Sequence, residues 1–168
     1  MAGAVTVDPA PGWLPPLLPL SEAGGDWSKY VERLYDIFRE DFVTSGARYE
    51  GKRCAFAVHP RHDGKEKFFW HLISEGESEE ERIPDLRRCE RIRWPKPVIQ
   101  RRPEQGVVVW GSARGKHTRL QIALPDFSYL VVLEDRASYL IAITAFCVEK
   151  EHRRVKLKKE YENYVAGK

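Results

Sequence analysis

Between Trp27 and Val43 the apolar residues Trp27, Tyr30, Val31, Leu34, Ile37, Phe38 and Phe42 return at steps of three and four, with Lys29, Glu32, Arg33, Asp36, Arg39 and Glu40 between them. This spacing predicts an amphipathic helix whose N-cap is Asp26 or Ser28. A polar turn over 44–51 follows. Arg53 to Val58 and Lys67 to Ser74 lean toward strand and are divided by Pro60, Arg61, His62, Asp63 and Gly64, so they predict a hairpin. Val107 to Trp110, Arg119 to Leu124, Tyr129 to Glu134 and Tyr139 to Val148 read as further strands, with turns at Pro125-Asp126 and Asp135-Arg136. Their regular spacing predicts an antiparallel meander. Pro84 suits the first turn of a short helix reaching about Ile92, which Pro95 and Pro97 would end. Lys150 to Val165 predicts a last helix, with Val155, Leu157 and Tyr161 set among Arg153, Arg154, Lys156, Lys158 and Lys159. The expected fold is α+β: an N-terminal helix, a curved antiparallel sheet of four to six strands and a basic C-terminal helix.

A chain of 168 residues is one domain's worth. Of its 11 prolines, Pro9, Pro11, Pro15, Pro16 and Pro19 fall at the start, and Gly24-Gly25 follows. Residues 1–25 are therefore expected to form a proline-rich flexible or extended arm ahead of a single α+β domain over 26–168, its folded body ending near 165. The apolar opening lacks the basic flank of a secretory leader, and its prolines would break the helical segment such a leader needs. No run approaches the roughly 20 apolar residues of a bilayer span, so no membrane partner is expected. Cys54, Cys89 and Cys147 offer neither a CxxC pair nor an even count, and a reducing cytoplasm is the simplest compartment.

The net charge of +3 hides an uneven distribution. Residues 75–81 hold five glutamates and read as a solvated acidic loop. From Arg82 to Arg102 the sign reverses, with Arg82, Arg87, Arg88, Arg91, Arg93, Lys96, Arg101 and Arg102 opposed only by Asp85 and Glu90, a local +6. A second basic stretch runs from Arg153 to Lys159. In isolation such arginines are a solvated face paired with nearby glutamates. As nucleic-acid contacts the candidates are Arg87, Arg88, Arg93, Trp94, Lys96, Arg153 and Arg154, with Trp94 either core or stacked on a base.

The five histidines have no HExxH spacing, and the loop pair His59 and His62 reads as solvent-facing, so no metal site and no cofactor are expected. Gly111 to Lys116 has the composition of a phosphate loop but the wrong glycine spacing, and reads as a β-turn. His71 is the singular one. It closes Phe68-Phe69-Trp70, and on a strand it would share a face with Phe69 and Ile73 while Trp70 and Leu72 point away. The arginine cluster begins 11 residues later. Metal-independent RNA cleavage needs a base for the ribose 2′-hydroxyl, an acid for the leaving 5′-oxygen and donors for the charge on phosphorus. Histidine, arginine and a hydroxyl such as Thr144 supply those groups, although a lone Thr in the apolar run Tyr139 to Phe146 is otherwise only a strand former.

Phe69-Trp70-His71, then Arg82 to Trp94, then Ile143-Thr144-Ala145-Phe146 leading into His152 to Tyr161 resembles the phage- and toxin-associated nucleases of the barnase–EndoU–colicin–RelE (BECR) superfamily, over about residues 27–165. The resemblance implies a helical part packed on a four-stranded antiparallel sheet. It makes His71 the general base or acid, Arg82 and Arg91 the phosphate and transition-state donors, and Thr144 a phosphate-positioning hydroxyl. Phe146 departs from it where tyrosine is common, which leaves Tyr139 or His117 as weak substitutes for the second proton-transfer group. The function so implied is a metal-independent endoribonuclease, a toxin or phage-defence effector acting on RNA, with tRNA among its substrates and a cognate immunity or antitoxin protein as partner. The alternative is a non-catalytic nucleic-acid or protein binding module on a mobile element, using the two basic stretches.

Overall fold

The computed structural model describes residues 4–168. In chain order its elements are helix α1 (Trp27–Phe38), strands β1 (Arg48–Tyr49) and β2 (Lys52–Phe56), helix α2 (Lys67–Ile73), short strands β3 (Ser74–Glu75) and β4 (Ile83–Pro84), helices α3 (Leu86–Glu90) and α4 (Pro95–Gln100), strands β5 (Val108–Arg114), β6 (His117–Ala123), β7 (Tyr129–Asp135) and β8 (Leu140–Cys147), and helix α5 (Glu151–Ala166). The expected α+β order of N-terminal helix, sheet and C-terminal helix is what the chain adopts.

Six strands form one curled sheet in the order β1-β2-β8-β7-β6-β5. Strands β5 to β8 make the predicted antiparallel meander. Gly115, at φ 60°, turns the β5–β6 hairpin where a β-turn was expected. The sheet is mixed rather than wholly antiparallel, because β2 runs parallel to β8, with Cys54 to Phe56 against Leu140 to Ala142. That pairing covers only the first half of β8. A bulge then inserts Ile143, so Ala142 and Ala145 face one way while Thr144 and Phe146 face the other, opposite Val132 and Leu130.

Each face of the sheet has its own core. Ile122, Val131, Leu133, Ala142 and Ala145 pack against the helical layer, and Trp110, Leu130 and Val132 pack against Leu157 and Tyr161 of α5. Helix α1 buries the predicted stripe of Tyr30, Val31, Leu34, Ile37 and Phe38. Asp26 rather than Ser28 caps it, its Oδ1 accepting the Lys29 N–H at 3.1 Å.

Three expectations are corrected. Lys67 to Ile73 is a helix, not a strand: Phe68, Phe69, Leu72 and Ile73 are buried together, a helical stripe that alternation cannot produce. The aromatic triplet Phe68-Phe69-Trp70 suited a strand by propensity, but burial of one helical face against Phe38, Phe42 and Phe56 decided the matter. Pro84 lies in β4, and α3 begins beyond it with Asp85 as its N-cap. Pro95 starts α4 instead of ending a helix, at a position whose missing N–H has no helical partner to lose.

From residue 4 the proline-rich arm is laid on the body and ends in a 3₁₀ turn over Leu20–Ala23. Leu14 and Leu18 enter the main core and Val5 the second one. The Leu18 N–H donates to Glu90 O at 2.9 Å, Tyr30 Oη donates to Leu18 O at 2.6 Å, and Trp94 Nε1 donates to Pro15 O at 2.9 Å. No helix among the described residues is long and apolar enough to cross a membrane. Because Leu18 is buried this completely, Leu18→Ala is expected to destabilise the protein by about 2–4 kcal/mol, read as a lowered urea midpoint. An unchanged midpoint would mean that the arm is not packed in solution.

Candidate functional site

Lys67 and His71 stand one turn apart on α2, and both reach Glu79 in the acidic loop. His71 Nε2 lies 2.5 Å from Glu79 Oε1, and Lys67 Nζ lies 3.8 Å from the same oxygen. Burial holds the imidazole below its ordinary pKa against the raising pull of the Glu79 hydrogen bond, and the Arg82 and Lys67 charges push it down too. For Glu79, burial works to raise the carboxyl, but the hydrogen bond from His71 and the cations around it outweigh that and hold it low. Near neutrality the pair is a neutral imidazole donating Nε2–H to a carboxylate. This leaves the Nδ1 lone pair free to take a proton.

The hairpin that carries Glu79 is closed by Arg82. Its Nε donates to Ser74 Oγ at 3.0 Å, Nη2 to Ser74 O at 2.5 Å and His71 O at 3.3 Å, and Nη1 to Gly76 O at 3.4 Å. Arg82 therefore meets His71 as the resemblance implied, but as a clasp whose nitrogens are already engaged rather than as an open phosphate donor. At Gly76 a Cβ would lie 2.7 Å from Arg82 Cα, so only glycine lets the two strands close.

Arg88 approaches from the other side. Its Nη1 donates to the same His71 carbonyl at 3.0 Å, and its guanidinium lies 5.2 Å from the Phe146 ring centroid. The side chain is 12% exposed, its Nε has no hydrogen-bond partner, and the nearest carboxylate oxygen, Asp85 Oδ2, is 3.6 Å away. Burial lowers its pKa. Exposed Arg153 comes within 5.7 Å of the same ring, and Thr144 stands two residues earlier on that face of β8. Arg88, Arg153, Phe146 and Thr144 thus gather beside the half of β8 that β2 leaves uncovered.

The other predicted residues lie elsewhere. Arg87, Arg91, Trp94 and Arg154 line a separate cleft of about 480 Å³, one wall of which is the arm over 7–11. Arg87 pairs with Glu149, Arg91 lies 5.0 Å over Trp94, and buried Arg154 donates to the carbonyls of Val5, Val148 and Glu149. Trp94 is buried edge-on against Tyr129, which closes it to base stacking. Arg93 and Lys96 lie beside Glu40 and Asp41. Of the four expected catalytic residues, His71 and Arg82 come together. Among the described residues no side-chain hydrogen bond links Arg91 or Thr144 to them. His117 and Tyr139 sit where β8 begins, at the end of the sheet away from Phe146.

Glu79 and Lys67 were missed because their significance depends on α2 being helical: Lys67 and His71 share a face only at a spacing of four on a helix. Among the described residues no group of three or more His, Cys, Asp or Glu is placed to hold a metal ion. No protein-family model, curated protein or solved structure matches this chain.

Two outcomes follow from this geometry. The folded-state pKa of His71 lies below its unfolded value of about 6.5, so the unfolded chain binds more protons between the two. The stability this contributes is complete above about pH 6.5 and is lost as pH falls through the folded value. Urea midpoints should fall from pH 7.5 toward pH 5 (values bracketing about 6.5), and less steeply in His71→Gln; equal slopes would contradict the burial of the ring. Gly76→Ala should open the hairpin, read as faster amide exchange at Asp85, whose N–H donates to Ile73 O at 2.9 Å, and unaltered exchange would show that the clasp tolerates a Cβ.

Proposed function

We propose that this protein is a metal-independent endoribonuclease that cleaves RNA by transesterification, with His71 as the base that takes the proton from the 2′-hydroxyl. The observation that carries the reading is the neutral His71 held by Glu79 through Nε2, with cations to either side, Lys67 toward one and Arg88 toward the other. Glu79 orients the ring and stabilises the imidazolium once the proton has moved, as a carboxylate does for a catalytic histidine in general. Exposed Arg153 receives the phosphate, backed by the charge of the largely covered Arg88, and the Thr144 hydroxyl adds a donor on the same face. The sequence resemblance to the BECR nucleases favours the same chemistry, and with it a cytoplasmic toxin or phage effector whose substrates include tRNA and whose partner is an immunity or antitoxin protein.

The second reading, a nucleic-acid binding module without catalysis, draws on the engagement of Arg82 and the distance of His117 and Tyr139, which leave His71 as the one histidine of the cluster. Incubation of the purified protein with total RNA and with tRNA in EDTA separates the two. Cleavage leaving 2′,3′-cyclic phosphate ends is expected, reduced by about 10²–10⁴ in His71→Ala and less severely in Glu79→Gln. Intact RNA on every substrate, or undiminished cleavage by His71→Ala, would sink the enzyme reading. Salt-steep RNA binding without product would replace it with the module.

A further inference from the structure

Beside His71 lies a cleft of about 550 Å³ between the loop at 60–62 and the β3–β4 hairpin, lined by Arg61, His62, Lys67, Trp70, Glu79 and Arg82 among others. Its floor is formed by Lys67, Trp70 and Ile73 of α2 with Ser74 just beyond, so it adjoins His71 on the same helix and reaches Glu79, the partner of His71.

Trp70 is the feature of interest. Its one polar group is already engaged, with Nε1 donating to His62 O at 2.9 Å. Its ring is braced edge-to-face by Phe69 at 5.2 Å and by His62 at 5.4 Å between centroids. An indole that is half-buried, held in one orientation and relieved of its hydrogen-bonding demand offers a ligand its π surface and little else, which is the requirement for sequence-tolerant stacking of a base. Around it the charge is mixed. Arg61 is paired with buried Glu66 at 3.1 Å, Glu80 lines the cleft beside Glu79, and among the described residues Lys67 has only the long contact to Glu79. That balance suits one phosphate group rather than a run of them. The cleft's size falls within the range of about 300–1,000 Å³ typical of small-ligand sites.

We infer that this cleft is a subsite for one unpaired nucleotide of single-stranded RNA, its base stacked on Trp70 and its phosphate drawn to Lys67 at the edge of His71. The inference rests on the ribonuclease reading and specifies its substrate: a base can lie on Trp70 only if its face is not already stacked in a duplex. Loops and tails are then cleaved and paired stems are spared.

The test uses binding, not cleavage. The full chain is titrated with a fluorescent tetranucleotide that carries 2′-deoxyribose throughout and so cannot be cut, and with the same sequence annealed to its complement within a longer hairpin. The single strand should bind and the duplex should bind more weakly. Trp70→Leu should weaken single-strand binding by about 5- to 150-fold, Trp70→Phe should restore most of it, and Lys67→Gln should weaken it with a shallower salt dependence. Urea midpoints of each variant verify folding, and should Trp70→Leu not fold, Trp70→Phe and Lys67→Gln carry the test. Unchanged affinity in the folded variants, or equal affinity for the duplex, overturns the subsite. If Trp70-dependent binding holds while RNA stays intact in EDTA, the subsite stands and the ribonuclease reading fails; cleavage with Trp70-independent binding gives the converse.

Discussion

A single backbone carbonyl, that of His71, organises the helical side of the candidate site. It belongs to the last turn of α2, where carbonyls have no helical N–H to accept from, and two guanidiniums donate to it, Arg82 at 3.3 Å and Arg88 at 3.0 Å. Arg82 brings the β3–β4 hairpin with it and Arg88 brings α3. One oxygen thereby ties together three elements that a regular ladder does not join, and it sets the His71 ring against Glu79. Burial and then the Arg88 charge lower the pKa of the Arg82 guanidinium, and the Arg82 and Lys67 charges add to the burial that holds His71 low.

The position of this knot follows from the sheet. Strand β2 pairs with only the first three residues of β8, and the remainder of that strand would be an open edge if α2 and α3 did not lie along it. The bulge at Ile143 turns Thr144 and Phe146 to the face where α5 begins, so Arg153 and Arg88 reach one aromatic ring from two different helices. Arg88 is held there with little solvent and no well-matched carboxylate. A covered cation without a matched carboxylate is costly to the fold.

The elements that were legible in advance share one property, a period carried by many residues. Helix α1 shows its stripe over about three turns, and β5 to β8 are apolar-rich runs set off at regular spacing by turn residues. The elements that were misread are short. Seven residues of Lys67 to Ile73 are too few for periodicity to separate helix from strand, and the error moved His71 to the wrong surface and concealed its relation to Lys67 and Glu79. The arginine cluster was legible as charge but not as structure: Arg82, Arg88 and Arg154 are engaged with backbone carbonyls and exposed Arg87 with a carboxylate, while Arg153 on α5 stays exposed.

Composition and local pattern were enough, then, to determine an α+β chain with a capped N-terminal helix, a meander and a basic C-terminal helix, because those features depend on residues near one another in sequence. Which arginines remain available, which residues share a face across the β8 bulge, and that an acidic loop supplies the partner of His71 were decided only by the fold. Those are contacts between segments whose separation in sequence carries no pattern, and they exist because burying the aromatic face of α2 placed its polar face, His71 included, against the hairpin and α3.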